Sequence, residues 1–73
     1  MDLQPGVLYQ HRAKRPFRLT GRQPCYLGID ETGRYFTQDQ TGIRMPLSRD
    51  RGDALRNMSI PLIPPDQQLP PGF

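Results

Sequence analysis

The chain has 73 residues, a net charge of +3 at pH 7, nine Pro, seven Gly and no Trp. A chain this short forms one domain at most and hides only about 60% of the surface of its unfolded form, so its core must be small. Only 34% of the residues are hydrophobic, which favours short strands and turns over long helices. No window approaches the roughly eighteen consecutive apolar residues that indicate a membrane-spanning helix.

Positive charge is concentrated in the first part of the chain. Residues 1–29 carry five cations and one acid, whereas residues 30–73 carry five cations and six acids. Nine of the ten cations are Arg, whose planar fork binds phosphate and carboxylate better than an ammonium does. The single cysteine, Cys25, cannot form an intramolecular disulfide, and the N-terminus lacks a charged leader followed by an apolar run. We therefore expect a soluble, cytoplasmic protein.

Two short strands are predicted on either side of a basic segment. Residues 7–10 (VLYQ) follow a Pro-Gly turn signal, and residues 17–20 (FRLT) alternate apolar with polar side chains, as strands do. Residues 11–15 (HRAKR) between them are too charged to bury. The following proline, Pro16, biases Arg15 toward an extended conformation. We expect residues 11–15 to form a loop or an exposed strand edge.

Residues 25–47 are predicted to form a β-meander. Three alternating runs are separated there by the four-residue signals DETG and DQTG, which repeat the same hairpin-loop chemistry. In the first run Cys25, Leu27 and Ile29 share one face. In the third run Pro46 cannot donate to a ladder, which indicates an edge strand. Both turns have an extra residue within the Asp-Thr-Gly signature of aspartic proteases, so they predict no catalysis.

Three strands bury too little surface to be stable alone. We therefore expect residues 7–10 and 17–20 to join the meander. The predicted fold is mainly β: a small antiparallel β-meander or a half-open SH3-like or OB-like barrel of about four or five short strands, with one short helical turn and a Pro-rich C-terminal tail.

Residues 48–58 contain the one candidate helix, of one to two turns. Ser48 or Asp50 can cap it, and Gly52 weakens it by about 1 kcal/mol. Residues 60–73 include five prolines and cannot continue a helix. The chain is therefore divided into a β-rich domain, residues 1–58, and a Pro-rich extended tail, residues 59–73, which is partly docked or mobile.

The basic segment is the main candidate for binding. Its cations lie within twelve residues that contain no acid, with aromatic side chains beside them. Such charge density suits phosphates, and a neighbouring aromatic can stack a base, so nucleic acid is a reasonable partner. An acidic protein surface fits equally well, and the alternative is a solvated loop that keeps the protein soluble. The candidate binding residues are Tyr9, Arg12, Lys14, Arg15, Phe17, Arg18 and Arg22, with Tyr35 and Arg44 added from the meander.

The remaining motifs indicate little chemistry. The PxxP spacing of Pro61 and Pro64 is typical of groove-binding peptides, but packing of the tail on the sheet is the preferred interpretation. Arg51-Gly52-Asp53 matches an integrin-binding tripeptide only by coincidence. His11 has no neighbouring partner for a metal site, and Cys25 is interpreted as a buried structural thiol. We predict no catalytic residue, no metal and no cofactor.

The leading hypothesis is a small non-enzymatic binding or regulatory protein. Its Arg-rich segment would engage an anionic partner, either an acidic protein surface, a nucleoprotein or a nucleic acid, and it would act as an inhibitor or accessory factor of a larger machine. One alternative is a β-barrel module that binds nucleic acid directly. A second is a structural subunit or adaptor that acts through its edge strand and its Pro-rich tail. An enzyme is the least supported class, because a thin core leaves little room to desolvate catalytic groups. The oligomeric state stays open, a dimer included.

Overall fold

The computed structural model of the protein describes residues 3–19 and 23–62, which form an antiparallel sheet of five strands and one helix. The sheet order is β4-β3-β2-β1-β5, and the mainly β class and the meander are confirmed. The elements in chain order are β1 (Tyr9–His11), β2 (Cys25–Ile29), β3 (Tyr35–Asp39), β4 (Arg44–Pro46), α1 (Arg49–Arg56) and β5 (Ser59–Pro61).

The two hairpin turns of the meander have the same hydrogen-bond pattern. In the first turn Asp30 Oδ1 accepts from the backbone and hydroxyl of Thr32 and from the backbone of Arg34, at 2.6 to 2.9 Å. Asp39 Oδ1 accepts from Thr41 and Ile43 in the same way, at 2.6 to 3.0 Å. Each loop ends on a glycine with positive φ, as the repeated D-x-T-G pattern predicts.

The sheet is open, so the predicted SH3-like or OB-like barrel is wrong. β4 and β5 are the two edges of the sheet and do not pair with each other. The predicted strand at residues 17–20 contributes one isolated bridge, Phe17 to Cys25, and Thr20 lies outside the described residues. A barrel would need strands long enough to curl and join their edges, whereas both edge strands here have three residues and contain proline.

The proline of β4, Pro46, lies at a position whose backbone N and C=O groups face away from β3. Leu47 N donates to Tyr35 O, and β3 and β4 pair with Thr37 opposite Met45. By alternation, the backbone groups of Arg44 and Pro46 face outward. Because proline has no N–H, this edge offers few donors to an added strand.

The other edge, β5, was assigned to the tail in the sequence analysis, yet it pairs with β1 along its whole length. Leu62 N donates to Leu8 O, and Gln10 lies opposite Ile60, so the backbone of Pro61 faces outward as well. Residues 63–73, the rest of the predicted tail, lie outside the described residues.

The core lies between the sheet and α1. Leu27, in the central strand, is fully buried, and Ser59 is 2% exposed with its hydroxyl donating to Leu55 O at 2.7 Å. The buried apolar cluster consists of Leu3, Tyr9, Phe17, Cys25, Leu27 and Leu55.

The predicted helix is confirmed. It has eight residues, about two turns, with Ser48 as its N-cap. No helix within residues 3–19 and 23–62 is long and apolar enough to cross a membrane.

The opposite face of the sheet has a smaller packed group. Phe36 is 8% exposed and lies across Gly28, the residue opposite it in β2. A Cβ atom at Gly28 would come within 2.6 Å of the Phe36 ring. The guanidinium of Arg44 lies 4.4 Å from the centre of that ring, and Arg44 Nε donates to Gln38 Oε1 at 2.8 Å. Glycine thus leaves room for an aromatic side chain on this face.

Candidate functional site

The basic segment forms a tight turn, here called the basic loop, residues 11–15. His11 N donates to Arg15 O at 2.8 Å, and Lys14 N donates to His11 O at 2.7 Å. Lys14 has a φ of 61°, in the left-handed region that non-glycine residues seldom occupy. This pattern matches a three-residue hairpin loop whose last residue is left-handed. Residues 12–14 form the loop, whereas His11 is the last residue of β1 and Arg15 forms an isolated bridge with it, so the prediction of a loop or an exposed strand edge for residues 11–15 agrees with the structure.

Contacts with the domain fix the position of the basic loop. Arg12 N donates to Met58 O at 2.7 Å, which ties the loop to the segment after α1. Ala13 N donates to His11 Nδ1 at 3.1 Å, and the His11 ring lies edge-on to Phe17 with the ring centres 5.8 Å apart. His11 therefore has a structural role in the loop. The backbone that carries the cations is ordered before any partner binds.

The structure separates the predicted site residues into exposed cations and buried aromatics. The side chains of Arg12, Lys14, Arg15 and Arg18 are exposed. Arg22 lies outside the described residues.

Tyr9 and Phe17, by contrast, are 3% and 4% exposed and belong to the core. The Tyr9 hydroxyl accepts from Gln4 N at 2.8 Å. Neither ring has a free face on which a nucleic-acid base could stack.

The two candidates from the meander lie apart from each other. Tyr35 is half-buried on the helix side of the sheet, where its hydroxyl donates to Asp53 Oδ1 at 2.6 Å. Arg44 lies on the opposite side over Phe36. The two residues therefore contribute to different surfaces, and the structure does not combine them with the basic loop.

A second cationic group, which the sequence analysis missed, surrounds Tyr35. It lines a groove with a volume of about 560 Å³, here called the Tyr35 groove. The sequence does contain a pattern that indicates this group. Arg49, Asp53 and Arg56 are spaced so that all three lie on one side of a helix, next to the predicted site residue Tyr35. The lining residues are Thr32, Gly33, Arg34, Tyr35, Pro46, Leu47, Arg49, Asp53 and Arg56.

An apolar groove lies beside β4 on the helix side of the sheet. Ile43 and Met45 are 61% and 55% exposed there, and the groove has a volume of about 630 Å³. Cys25 lines it but is buried. Burial raises the pKa of the Cys25 thiol, and the charge of Asp39 raises it further, so the thiol stays protonated. The interpretation of Cys25 as a structural thiol agrees with this environment.

The carboxylates of the two hairpin turns are expected to make the fold sensitive to acid. The pKa values of Asp30 and Asp39 are lowered, chiefly because the Thr32 and Thr41 hydroxyls donate to them. A lowered folded-state pKa contributes stability that is fully present above the unfolded value, near 3.8, and is lost as the pH falls through the folded value. We expect the urea midpoint to drop as the pH falls below about 4.

The double variant Asp30→Asn/Asp39→Asn should show a smaller drop over the same pH range, because its turns contain no titrating carboxylate. Asp50→Asn, which removes one carboxyl outside both turns, serves as the comparison for the loss of negative charge alone. Equal acid sensitivity of the double variant and the wild type would contradict the assignment.

The site contains no arrangement that identifies a reaction. Within residues 3–19 and 23–62, no group of three or more His, Cys, Asp or Glu side chains could hold a metal ion. Comparison of the chain with protein-family models, with curated proteins and with solved structures finds no match. The two cationic surfaces are therefore the features of the described residues that indicate a function.

Proposed function

We propose that the protein is a small non-enzymatic binding protein that uses its basic loop to engage an anionic partner. The supporting observation is the basic loop itself. Its backbone is held by hydrogen bonds within the loop and to Met58, while its three cations and the nearby Arg18 are exposed. Because the loop is already ordered, binding costs less conformational entropy than it would for a flexible arm.

An acidic protein surface is the partner that this geometry favours. Single-stranded nucleic acids usually gain affinity from aromatic side chains that stack on bases. The two aromatics next to the basic loop, Tyr9 and Phe17, are in the core and offer no such platform. What remains on the surface is charge and guanidinium donors, which suit carboxylates and phosphates alike, so the lack of a stacking platform is what favours the acidic protein surface. The proposed role is that of an inhibitor or accessory factor that docks on such a surface.

Direct binding to nucleic acid is the second candidate, supported by the same exposed cations. It would use phosphate contacts alone, so affinity would fall steeply with salt, by about 0.9 in log K per phosphate for each unit of log salt. The third idea, assembly through the sheet edges, is disfavoured because Pro46 and Pro61 face outward from the two edge strands.

We expect the double variant Arg12→Gln/Arg15→Gln to lose its partner while keeping its stability. Immobilised full-length protein would be used to capture partners from its native host, with and without nuclease, at about 50 and 200 mM salt. An acidic protein should remain bound after nuclease treatment, and the double variant should fail to retain it. The free energy of unfolding, measured with urea, should stay within about 0.5 kcal/mol of the wild-type value, as expected for exposed side chains.

The matched control is Arg44→Gln/Arg51→Gln, which removes the same charge from exposed positions elsewhere. It should capture the partner as the wild type does. Equal capture by the loop variant and this control would show that net charge, and not the basic loop, is responsible. Loss of capture after nuclease treatment would instead support the nucleic-acid alternative.

A further inference from the structure

The Tyr35 groove brings together three arginines from separate parts of the chain. Arg34 precedes β3, and Arg49 and Arg56 lie in the first and last turns of α1. Helical side chains lean toward the N-terminus of their helix, which directs Arg56 back toward the groove.

The positive charge of the groove exceeds its negative charge by two. Asp53 is the one acid among the lining residues. Its Oδ1 already accepts from the Tyr35 hydroxyl at 2.6 Å. Asp53 therefore already has a hydrogen-bond partner in Tyr35, and the excess positive charge of the groove favours an anion.

One donor of an arginine that lines the groove has no protein partner within residues 3–19 and 23–62. This donor, Arg56 Nε, is buried and makes no hydrogen bond to those residues. Buried polar groups in folded proteins nearly always have a partner, and those without one commonly bind water or an ion. A guanidinium Nε–H is also one of the donors that form bidentate pairs with oxyanions.

Tyr35 fixes the shape of the groove by linking β3 to α1. Its ring packs on Gly52 of α1, and its hydroxyl bonds to the next residue, Asp53. The hydrogen bond to Asp53, followed by burial, raises the pKa of Tyr35, so the hydroxyl keeps its proton and the link between β3 and α1 persists at neutral pH. The positions of Arg49 and Arg56 relative to β3 are therefore defined before a ligand binds.

We propose that the Tyr35 groove is an anion site for a phosphate monoester dianion, held by Arg34, Arg49 and Arg56. The charge of the ligand matches the excess of the groove, and tetrahedral oxygens satisfy several guanidinium forks at once. This site is distinct from the basic loop. Tyr35 pairs with Ile29 at one end of β2, whereas Phe17, which follows the loop, bridges to Cys25 at the other end.

Nitrogen-detected NMR of the full chain at pH 7.5 and constant ionic strength tests the proposal. The ligands are inorganic phosphate, methyl phosphate and, as a monoanionic diester, dimethyl phosphate. We expect the Nε–Hε signal of Arg56 to shift in a saturable way with phosphate and methyl phosphate. Dimethyl phosphate should bind at least about tenfold more weakly, because it carries one charge fewer. Tighter binding of methyl phosphate than of inorganic phosphate would identify the monoester as the preferred source.

Variants make the test specific to the groove. Arg49→Gln and Arg56→Gln should each weaken phosphate binding about tenfold, as expected for loss of a charge-assisted hydrogen bond. Arg34→Gln changes an exposed side chain, so it tests the same site if Arg56→Gln fails to fold. Arg12→Gln in the basic loop is the matched control and should bind phosphate as wild type does.

Three results would overturn the proposal: an Arg56 signal that does not move at about 10 mM phosphate, equal weakening by Arg12→Gln, or equal affinity for the diester. The partner of the basic loop is tested by a different measurement, capture from the native host with Arg12→Gln/Arg15→Gln, so failure of the phosphate site and failure of the proposed function are distinguishable.

Discussion

Replacing Gly52 with Ala is expected to destabilise the protein by about 2 kcal/mol, although Ala is the better helix former. A Cβ atom at this position would overlap Cγ and Cδ2 of the Tyr35 ring. Because Gly52 is buried in α1 and Tyr35 is held by Asp53, either the helix or the ring must move. Overpacking of this kind costs about 1 to 3 kcal/mol, and loss of the hydrogen bond adds about 1. Together they outweigh the helix-propensity gain of about 1 kcal/mol.

Thermal unfolding followed by circular dichroism measures this effect. For a domain of this size, about 2 kcal/mol corresponds to a fall in Tm of about 8 to 16 °C. In a Tyr35→Ala background the same Gly52→Ala change should raise Tm, because only the helix propensity remains. A rise in Tm in the wild-type background would show that the Tyr35 ring does not pack on Gly52.

The exposed position Ala54 in the same helix provides the control. Ala54→Gly should cost about 1 kcal/mol from propensity alone and should not depend on Tyr35. The double-mutant cycle of Gly52 with Tyr35 should therefore show coupling, and the cycle of Ala54 with Tyr35 should not.

The role of Gly52 could not be predicted from the sequence. Helix propensity alone predicts that Gly52 weakens α1, because propensity describes a residue without its neighbours. The close approach of Tyr35 comes from a residue far away in sequence, and no local pattern contains it. The same contact gives two residues of the Arg51-Gly52-Asp53 tripeptide a structural role: Gly52 makes room for the ring, and Asp53 accepts a hydrogen bond from its hydroxyl.

Local features were predictable for the converse reason. The D-x-T-G turns, the Ser48 cap and the basic loop depend on residues within about four positions of one another, and all are present in the structure. The pairing of β1 with β5 joins distant parts of the chain, so the fifth strand was assigned to the tail.

In the candidate site, too, the features that depend on local sequence were predictable, and those that depend on long-range packing were not. The exposure of the cations was predictable from local charge, because a dense run of like charges is costly to bury. The burial of Tyr9 and Phe17 depends on which side of the sheet α1 covers, and that is a property of the whole fold. The Tyr35 groove is lined by residues of a hairpin and of α1. Only the spacing of its helical residues could be recognised from the sequence.

Replacing Leu27 with Ala is expected to remove most of the free energy of unfolding of the protein at 25 °C. Leu27 is fully buried in the central strand, opposite Tyr9 in β1 and Thr37 in β3. Removal of a buried Leu side chain costs about 2 to 5 kcal/mol. A domain of about 70 residues has about 3 to 5 kcal/mol in total, so one substitution consumes most of it. Urea unfolding monitored by circular dichroism measures the change.

Two control variants show whether the effect depends on burial. Leu27→Met conserves volume and should cost less than about 1.5 kcal/mol. Ile43→Ala removes a side chain that is 61% exposed and should change stability by less than about 0.5 kcal/mol. Equal losses for Leu27→Ala and Ile43→Ala would contradict the position of the core.

The Leu27→Ala variant also separates folding from partner binding. A partner that binds only the folded state, present at about 100 times its Kd, adds about 2.7 kcal/mol of stability. Such a partner should refold the unfolded fraction of the Leu27→Ala population, which would then bind with reduced apparent affinity. Arg12→Gln/Arg15→Gln should show the reverse: an unchanged urea midpoint, no binding and no stabilisation by the partner. If the partner stabilised both variants equally, its contact would lie outside the basic loop.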